Sequence, residues 1–263
     1  MTPAAKAVSL LAAASLALAA CEPAPRAAAG PAAEPPQAAY LAPPEPTRAA
    51  LQGGGLLIEG TGQPLARIRL ARADGSAVGA TVEADGRWRA VVPPPADVQL
   101  YSIAQDVDGR LVRAVGYLAV APAGQAAMLR PGAGARVIGA AGASPAIRAV
   151  DYDAGGAAIV SASVAPNQPA RLLLDGADAG EARGDAAGRL SVTLPGPVRG
   201  ARHSVTLRTP AGAADAAFAL AAPVITAPPS AATRLENGWR IDWMAPGGGV
   251  QSTVLFDRAG GAG

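Results

Sequence analysis

Short apolar alternations separated by turn residues fill the chain after residue 50, and they constrain its fold more than any other feature. In ARIRLARADG, Ile68 and Leu70 share one face and the arginines the other, and GRWRAVV repeats the pattern around Trp88. Successive side chains of a strand point to opposite faces, so these stretches predict strands with one buried face. Asp-Gly pairs at 85–86 and 108–109 are typical of hairpin turns. No stretch has a convincing helical period, and the pattern predicts an all-β chain.

The strand pattern occurs twice. GQPLARIRLARADGSAVGATVEADGRWRAVV is followed about a hundred residues later by NQPARLLLDGADAGEARGDAAGRLSVTL. Gln63-Pro64 corresponds to Gln168-Pro169, and residues 67–70 correspond to 171–174. We expect both cores to be built at the alternating apolar positions. These are Ile68, Leu70 and Trp88 in the first copy, and Leu172, Leu174 and Leu190 in the second.

The order of these elements resembles that of bacterial Ig-like modules. An alternating strand is followed by a short Val/Ala-Gly strand and then by a D-x-x-G-x-W-like step, over about 55–121 and 150–222. The first copy lacks one residue after Asp85, and the second has Leu190 where the family has Trp. The resemblance implies two tandem Ig-like β-sandwiches; a shared fold does not by itself define a function.

The N-terminus carries a different signal. Residues 7–20 hold no charge and follow Lys6, and this run is too short to span a bilayer but is typical of a secretory signal. Leu18-Ala19-Ala20-Cys21 resembles the lipobox of bacterial lipoproteins, and Cys21 is the only cysteine. The resemblance implies cleavage before Cys21, lipid attachment to its thiol, and domains outside the cytoplasm on a membrane of the cell envelope, in the periplasm. An ordinary secretory signal with an incidental Cys21 is the alternative.

The sequence thus predicts six segments. They are a signal peptide at 1–20, a disordered Ala/Pro-rich tether at 21–50, an Ig-like domain at 51–121, a linker at 122–145 in which 136–140 could add an edge strand, a second Ig-like domain at 146–222, and a linker with a C-terminal hairpin at 223–263.

The C-terminal hairpin is the candidate contact surface. Its predicted strands cover about 238–244 and 250–257, and Trp239, Ile241 and Trp243 share a face. An isolated two-stranded hairpin is marginal in water, so it must pack on something. One hypothesis is that it completes the core of the second domain. The other is that some Trp surface remains exposed for a partner, because Trp is enriched at binding hot spots.

No residue constellation indicates catalysis. His203 is the only histidine, and it falls at a predicted strand start where an exposed side chain is expected. A zinc site needs three or four ligands, and the Asp pairs at 106–108 and 151–153 lack the distant Glu of a full calcium loop, so they are interpreted as turns. We expect no cofactor and no metal. Since the charge is nearly balanced, we also expect no nucleic-acid partner.

Two non-enzymatic functions remain open. The first is a lipid-anchored envelope protein that presents Ig-like modules in a structural or protein-interaction role. The alternative is a module that binds an envelope glycan or peptidoglycan, which exposed aromatic side chains would favour.

Overall fold

The computed structural model of the protein describes residues 40–122, 124–139, 145–225 and 229–257. The predicted signal peptide, most of the predicted tether, and Leu18, Ala19, Ala20 and Cys21 lie outside these residues. The described residues form twenty β-strands. None of them belongs to a helix that is long and apolar enough to cross a membrane.

The first module contains ten strands in two antiparallel sheets. The smaller sheet has the order β1-β2-β5, and the larger has the order β10-β9-β8-β6-β3-β4, with β7 also paired to β6. The strands are β1 (Glu45–Gln52), β2 (Gly55–Thr61), β3 (Arg67–Ala71), β4 (Ala77–Thr81), β5 (Arg87–Val92), β6 (Gln99–Val107), β7 (Arg110–Arg113), β8 (Tyr117–Val120), β9 (Ala126–Leu129) and β10 (Arg136–Ile138).

The second module also has two antiparallel sheets, with the orders β15-β12-β11-β20-β19-β18 and β14-β13-β16-β17. The strands are β11 (Ala146–Asp153), β12 (Ala158–Ser163), β13 (Pro169–Leu174), β14 (Ala177–Arg183), β15 (Arg189–Thr193), β16 (Arg202–Thr209), β17 (Gly212–Ala219), β18 (Ser230–Leu235), β19 (Gly238–Met244) and β20 (Val250–Phe256). The C-terminal hairpin, β19 and β20, therefore belongs to a sheet of this module.

The two modules share one strand topology. In each, the first strand pairs with the second and the second with the fifth, while the third pairs with the fourth and the sixth. The first strand of each also carries a bulge at the same place, between Pro46 and Arg48 in β1 and between Ile147 and Ala149 in β11. The all-β prediction and the repeat are thus confirmed, and the repeat is a duplicated sandwich.

Alternation builds each sandwich core as the sequence predicts. Ile68, Leu70 and Trp88 are buried between the sheets of the first module. In the second, Leu172 and Leu190 are buried and Leu174 is partly buried against them. Trp88 donates its indole N–H to the Thr61 carbonyl at 2.9 Å. A Cβ on Gly60 would overlap the Trp88 ring, so the ring requires glycine there.

The segment boundaries differ from the sequence prediction in three places. Strand β1 lies mostly inside the predicted tether at 21–50, and β9 and β10 lie inside the predicted linker at 122–145. The hairpin predicted at 223–263 pairs with β11 and is part of the second module's sheet. For β1, β9 and β10, a segment whose composition resembles a linker is ordered because a neighbouring strand edge satisfies its backbone hydrogen bonds. The edge strand that 136–140 could add is present as β10, over Arg136–Ile138.

Candidate functional site

The two modules meet through a third apolar cluster, separate from either sandwich core. Strands β8 and β9 of the first module are buried on both faces. Leu118 and Val120 point into the first core, whereas Ala119 points into the junction. Along β9, Met128 faces the first core and Leu129 faces the junction. These strands therefore form a layer between the first sandwich and the second module.

The hairpin supplies the other side of the junction, again by alternation. Val254 and Phe256 point into the second core, whereas Leu255 points into the junction with Ile241 and Trp243. The Trp243 ring meets Tyr117 edge-on, with ring centroids 6.2 Å apart and an interplanar angle of 85°. Such an arrangement is the favoured geometry for aromatic pairs. The junction is thus a continuous apolar core shared by both modules.

The position of the hairpin in the junction determines which of the predicted contact residues a partner could reach. Ile241 and Trp243 are 0% exposed, so no partner reaches them in the folded chain. Trp239 is only partly buried, and the Arg234 guanidinium lies 5.4 Å from its ring centroid. The hypothesis that some Trp surface remains exposed for a partner is therefore restricted to Trp239, because Ile241 and Trp243 pack against the first module. The hypothesis that the hairpin completes the core of the second domain describes only one of its faces, because the other face packs on the first module.

A chain of hydrogen bonds crosses the junction. The Trp243 indole N–H donates to Thr253 Oγ1 at 3.1 Å, and this hydroxyl donates to Asp151 Oδ1 at 2.5 Å. The Ala135 amide of the first module donates to Asp151 Oδ2 at 2.6 Å. Asp151 is buried, and burial raises its pKa to about 6 despite these donors. A carboxyl from the second module therefore holds a backbone amide of the first.

We expect Asp151 to make stability fall as pH rises. The pKa of an aspartate side chain is ordinarily 3.8, whereas that of Asp151 is about 6 in the folded protein, because burial favours the neutral form. Its contribution is present below about pH 4 and is lost by about pH 6, a difference of about 3 kcal/mol. Asp151→Asn removes this titration. Denaturation of both proteins should show the variant gaining about 3 kcal/mol on the wild type between pH 4 and pH 7.

The comparison with Asp151→Asn is essential because other carboxyls make the free energy of unfolding rise, and not fall, as pH rises. The pKa of Asp175 is lowered by its hydrogen bond to His203, and such groups lose stability as pH falls. Their effect cancels in the difference between wild type and variant. A difference that stays constant from pH 4 to pH 7 would contradict the assignment of this titration to Asp151.

Of the Asp pairs that resemble calcium loops, Asp106 and Asp153 bond turn amides, whereas the turn interpretation is wrong for Asp151, which lies buried in β11 at the junction. Asp153 Oδ1 accepts the amides of Gly155 and Ala157 at 2.8 and 3.0 Å. Asp106 Oδ1 accepts the Gly109 amide at 2.8 Å. Their carboxylates are thus used to close hairpins. Across the described residues there is no cluster of three or more His, Cys, Asp or Glu side chains suited to hold a metal ion.

His203 differs from the exposed side chain expected at a strand start. It is the second residue of β16, at the predicted strand start, but it is 8% exposed, its ring lies 5.5 Å from that of Phe218, and its Nδ1 lies 2.7 Å from Asp175 Oδ2. Its Nε2 is buried and has no hydrogen-bond partner among the described residues. A catalytic histidine activates a nucleophile through this second ring nitrogen. Because Nε2 of His203 is buried away from such a group, the contact between His203 and Asp175 is interpreted as structural.

A cleft with a volume of about 390 Å³ opens beside the junction. Its floor is the outer face of β12 and β15, with Ser161, Ser163 and Ser191. The wall comes from the first module, where the turn between β9 and β10 leads into β10. The charged lining residues are Arg130, Arg136, Arg148, Arg189, Glu45 and Asp185.

The wall of the cleft lies very close to its floor at Gly134. This residue has φ +73°, and a Cβ there would lie 2.8 Å from Ile159 Cγ2 and 2.9 Å from Ser161 Oγ. Arg130 holds the same turn, since Nε donates to the Gly134 carbonyl at 3.1 Å and Nη2 donates to the Ala133 carbonyl at 3.0 Å. The cleft is therefore shaped by the module junction.

Three arginines around the cleft are already oriented by neighbours. Arg136 Nη2 lies 3.1 Å from Glu45 and donates to the Pro46 carbonyl, while Arg189 Nε lies 3.0 Å from Asp185. Arg148 Nε donates to Ser163 Oγ at 2.8 Å. Sequence reasoning missed this site, because its residues come from five separate stretches of a nearly neutral chain.

Comparison with known proteins agrees with this architecture. Residues 42–119, from β1 into β8 of the first module, match the family model described as "Bacterial Ig domain". The match begins before the predicted domain start at residue 51 and includes β1. No curated protein matches the chain.

Several solved structures resemble the chain at low identity. They include the BSP domain of a biofilm-associated protein (13% identity, 72% of this chain and 30% of that one, TM-score 0.25). Others are the central fibronectin-III array of RIM-binding protein (13%, 81% and 89%, TM-score 0.26) and the Yersinia pseudotuberculosis adhesin InvE (15%, 72% and 62%, TM-score 0.23). The chain thus spans less than a third of the biofilm-associated protein.

Proposed function

We propose that this protein is a lipid-anchored component of the bacterial cell envelope, with a non-catalytic structural or protein-interaction role. In this proposal it presents two Ig-like modules as one rigid unit outside the cytoplasm. The observation that carries the structural role is the apolar junction, where Trp243 and Leu129 are completely buried between the modules. The lipid anchor rests on the lone Cys21 after Leu18-Ala19-Ala20.

The junction supports rigidity because its chemistry differs from that of ordinary contacts between domains. Relative motion is the default for neighbouring domains unless their interface is large and hydrophobic. Here two strands of the first module are buried on both faces, and Gln125 also donates to the Phe256 carbonyl and to Asp257 Oδ1, both at 3.2 Å. A fused pair keeps a constant spacing between its ends, which suits a scaffold or spacer.

Lipid attachment is tested by metabolic labelling with a fatty-acid analogue in the native cell. The wild type should incorporate label and fractionate with membranes, whereas Cys21→Ser should lose both. Several acyl chains together anchor a protein stably, so the loss from the membrane fraction should be nearly complete.

The control is the melting temperature of the folded modules, which should be the same in the wild type and in Cys21→Ser. Equal labelling of wild type and Cys21→Ser would overturn the anchor. A secreted protein that starts at another residue would support the alternative of an ordinary signal.

Glycan binding remains a second candidate function, favoured by the cleft. An aromatic platform is not its basis, since Trp88 and Trp243 are 1% and 0% exposed and the partly buried ring of Trp239 is already in contact with Arg234. The cleft offers arginine and serine side chains instead, and such a polar, cationic surface favours a ligand with negative charge and hydroxyl groups.

A further inference from the structure

We propose that the cleft between the modules binds an anionic saccharide, with a carboxylate or phosphate held by Arg189 and its arginine neighbours and sugar hydroxyls held by the serines of the floor. This ligand class goes beyond the proposed envelope role. It does not depend on lipid attachment at Cys21, so the two proposals fail separately.

The charge of the lining favours an anion. Four arginines face two carboxylates, which gives the cleft a local charge of +2. Burial lowers the pKa of Arg136, Glu45 and Asp185 oppose that shift, and the nearby cations Arg189 and Arg130 add to it. The two carboxylates offset only part of the positive charge, so an anion in the cleft would be attracted to the remaining guanidinium groups. A cationic cleft also concentrates the field that attracts anions.

The geometry of the donors favours a ligand with both charge and hydroxyls. Ser161 and Ser163 are buried at 4% exposure, and Ser161 Oγ lies 3.3 Å from Ser191 Oγ. A hydroxyl donates one hydrogen bond and accepts others, which matches the hydroxyls of a sugar. The planar guanidinium fork of Arg189 matches a carboxylate or phosphate. A volume of about 390 Å³ lies within the range of small-molecule sites.

An acidic peptide is less suited to this surface. Extended peptides bind sheets by adding a strand to an exposed edge, where backbone groups form the ladder. The serines and Arg189 instead occupy the outer face of β12 and β15, and β10 in the wall is only three residues long. The donors in the cleft are thus mostly side chains, which suit a ligand that lies on the sheet face.

The proposal is tested by NMR titration of the chain from residue 21 onward, carrying Cys21→Ser. The ligand is a disaccharide that contains glucuronic acid, compared with a neutral disaccharide, inorganic phosphate and hexaglutamate. We expect the acidic disaccharide to shift the amides of Gly134, Ser161 and Ser191, with an affinity that falls as salt rises.

Matched variants locate the site. Arg189→Gln should weaken binding at least tenfold, and Arg189→Lys should weaken it less, because it keeps the charge and loses the fork. Arg110→Gln makes the same charge change on β7, outside the cleft, and should leave the affinity within twofold. Each variant is first checked for a wild-type spectrum, and Ser161→Ala repeats the test if Arg189→Gln is misfolded.

The other outcomes overturn the proposal. Equal binding of the neutral disaccharide would exclude the anionic contact. Phosphate binding as tightly as the acidic disaccharide would leave a simple anion site. Hexaglutamate binding more tightly than the disaccharide would point to a peptide ligand, and a titration without shifts at Gly134, Ser161 and Ser191 would exclude a saccharide site in the cleft.

Discussion

Trp243→Ala is expected to separate the unfolding of the two modules. The wild type should unfold in one cooperative transition, because the junction cluster belongs to both sandwiches. Trp243 is 0% exposed in that cluster and donates to Thr253. Its loss leaves a cavity and should cost about 3–5 kcal/mol. Calorimetry or denaturation by urea should then show two transitions, or one that begins at a much lower denaturant concentration.

Trp239→Ala is the matched control, since the residue lies on the same strand and faces the same way. Trp239 is only partly buried and its ring interacts with Arg234. The ring also packs against the edge of the junction cluster, so the variant loses this partial burial together with a cation–π contact of about 0.5–1 kcal/mol, and its loss of stability should be clearly smaller than that of Trp243→Ala. Similar losses in the two variants would show that the deep burial of Trp243 is not what couples the modules.

The alternating strands were predictable because alternation is a local signal. A strand such as β5, with arginines between Trp88, Ala90 and Val92, has one apolar and one polar face, and this pattern defines both its structure and its buried side. The Asp-Gly turns are local for the same reason. The duplication was visible because both copies keep these signals in one order, although their identity is low.

Strands β1 and β9 were not predictable in the same way. Strand β9 has the sequence AAML and is buried on all four residues, so it shows no alternation that separates a strand from an apolar linker. The opposite problem conceals β1, whose sequence EPTRAALQ continues the composition of the predicted tether. Their strand partners are neighbours in the sequence, β2 for β1 and β8 and β10 for β9, but the second face of β9 is buried by the distant C-terminal hairpin. The Trp239–Ile241–Trp243 face was recognised, but only tertiary contacts reveal that the first module covers it.

The cleft could not be predicted from local spacing. Arg136 comes from a short edge strand in a linker-like segment, Arg189 lies on the outer face of the alternating strand β15, and Ser161 lies on the outer face of β12, where the first module buries it. Arginines and serines at such positions usually indicate no more than a hydrated sheet face. They become a site only because the Gly132–Gly134 turn brings the first module against β12. The candidate site therefore depends on the module junction.

Removal of residues 236–263 is expected to unfold the second module. The deletion takes β19 and β20 with it, leaves β11 without its partner along Ala149–Asp153, and opens the core at Val254 and Phe256. Large buried side chains contribute about 2–5 kcal/mol each, whereas a whole domain is stable by only about 5–15 kcal/mol. The loss of five buried side chains, Ile241, Trp243, Val254, Leu255 and Phe256, therefore exceeds what the module can tolerate.

Limited proteolysis followed by mass spectrometry measures this outcome. In the truncated protein, cleavage sites should appear throughout 146–222, and exposure of the β8 and β9 faces should make the first module prone to association. Truncation after Asp257 is the control, because it keeps Arg234–Asp257 at 2.7 Å and every described strand, and it should resist protease like the wild type. If the 236–263 deletion keeps the wild-type melting temperature and protease resistance, the hairpin does not complete the second core and the shared junction does not hold the modules together.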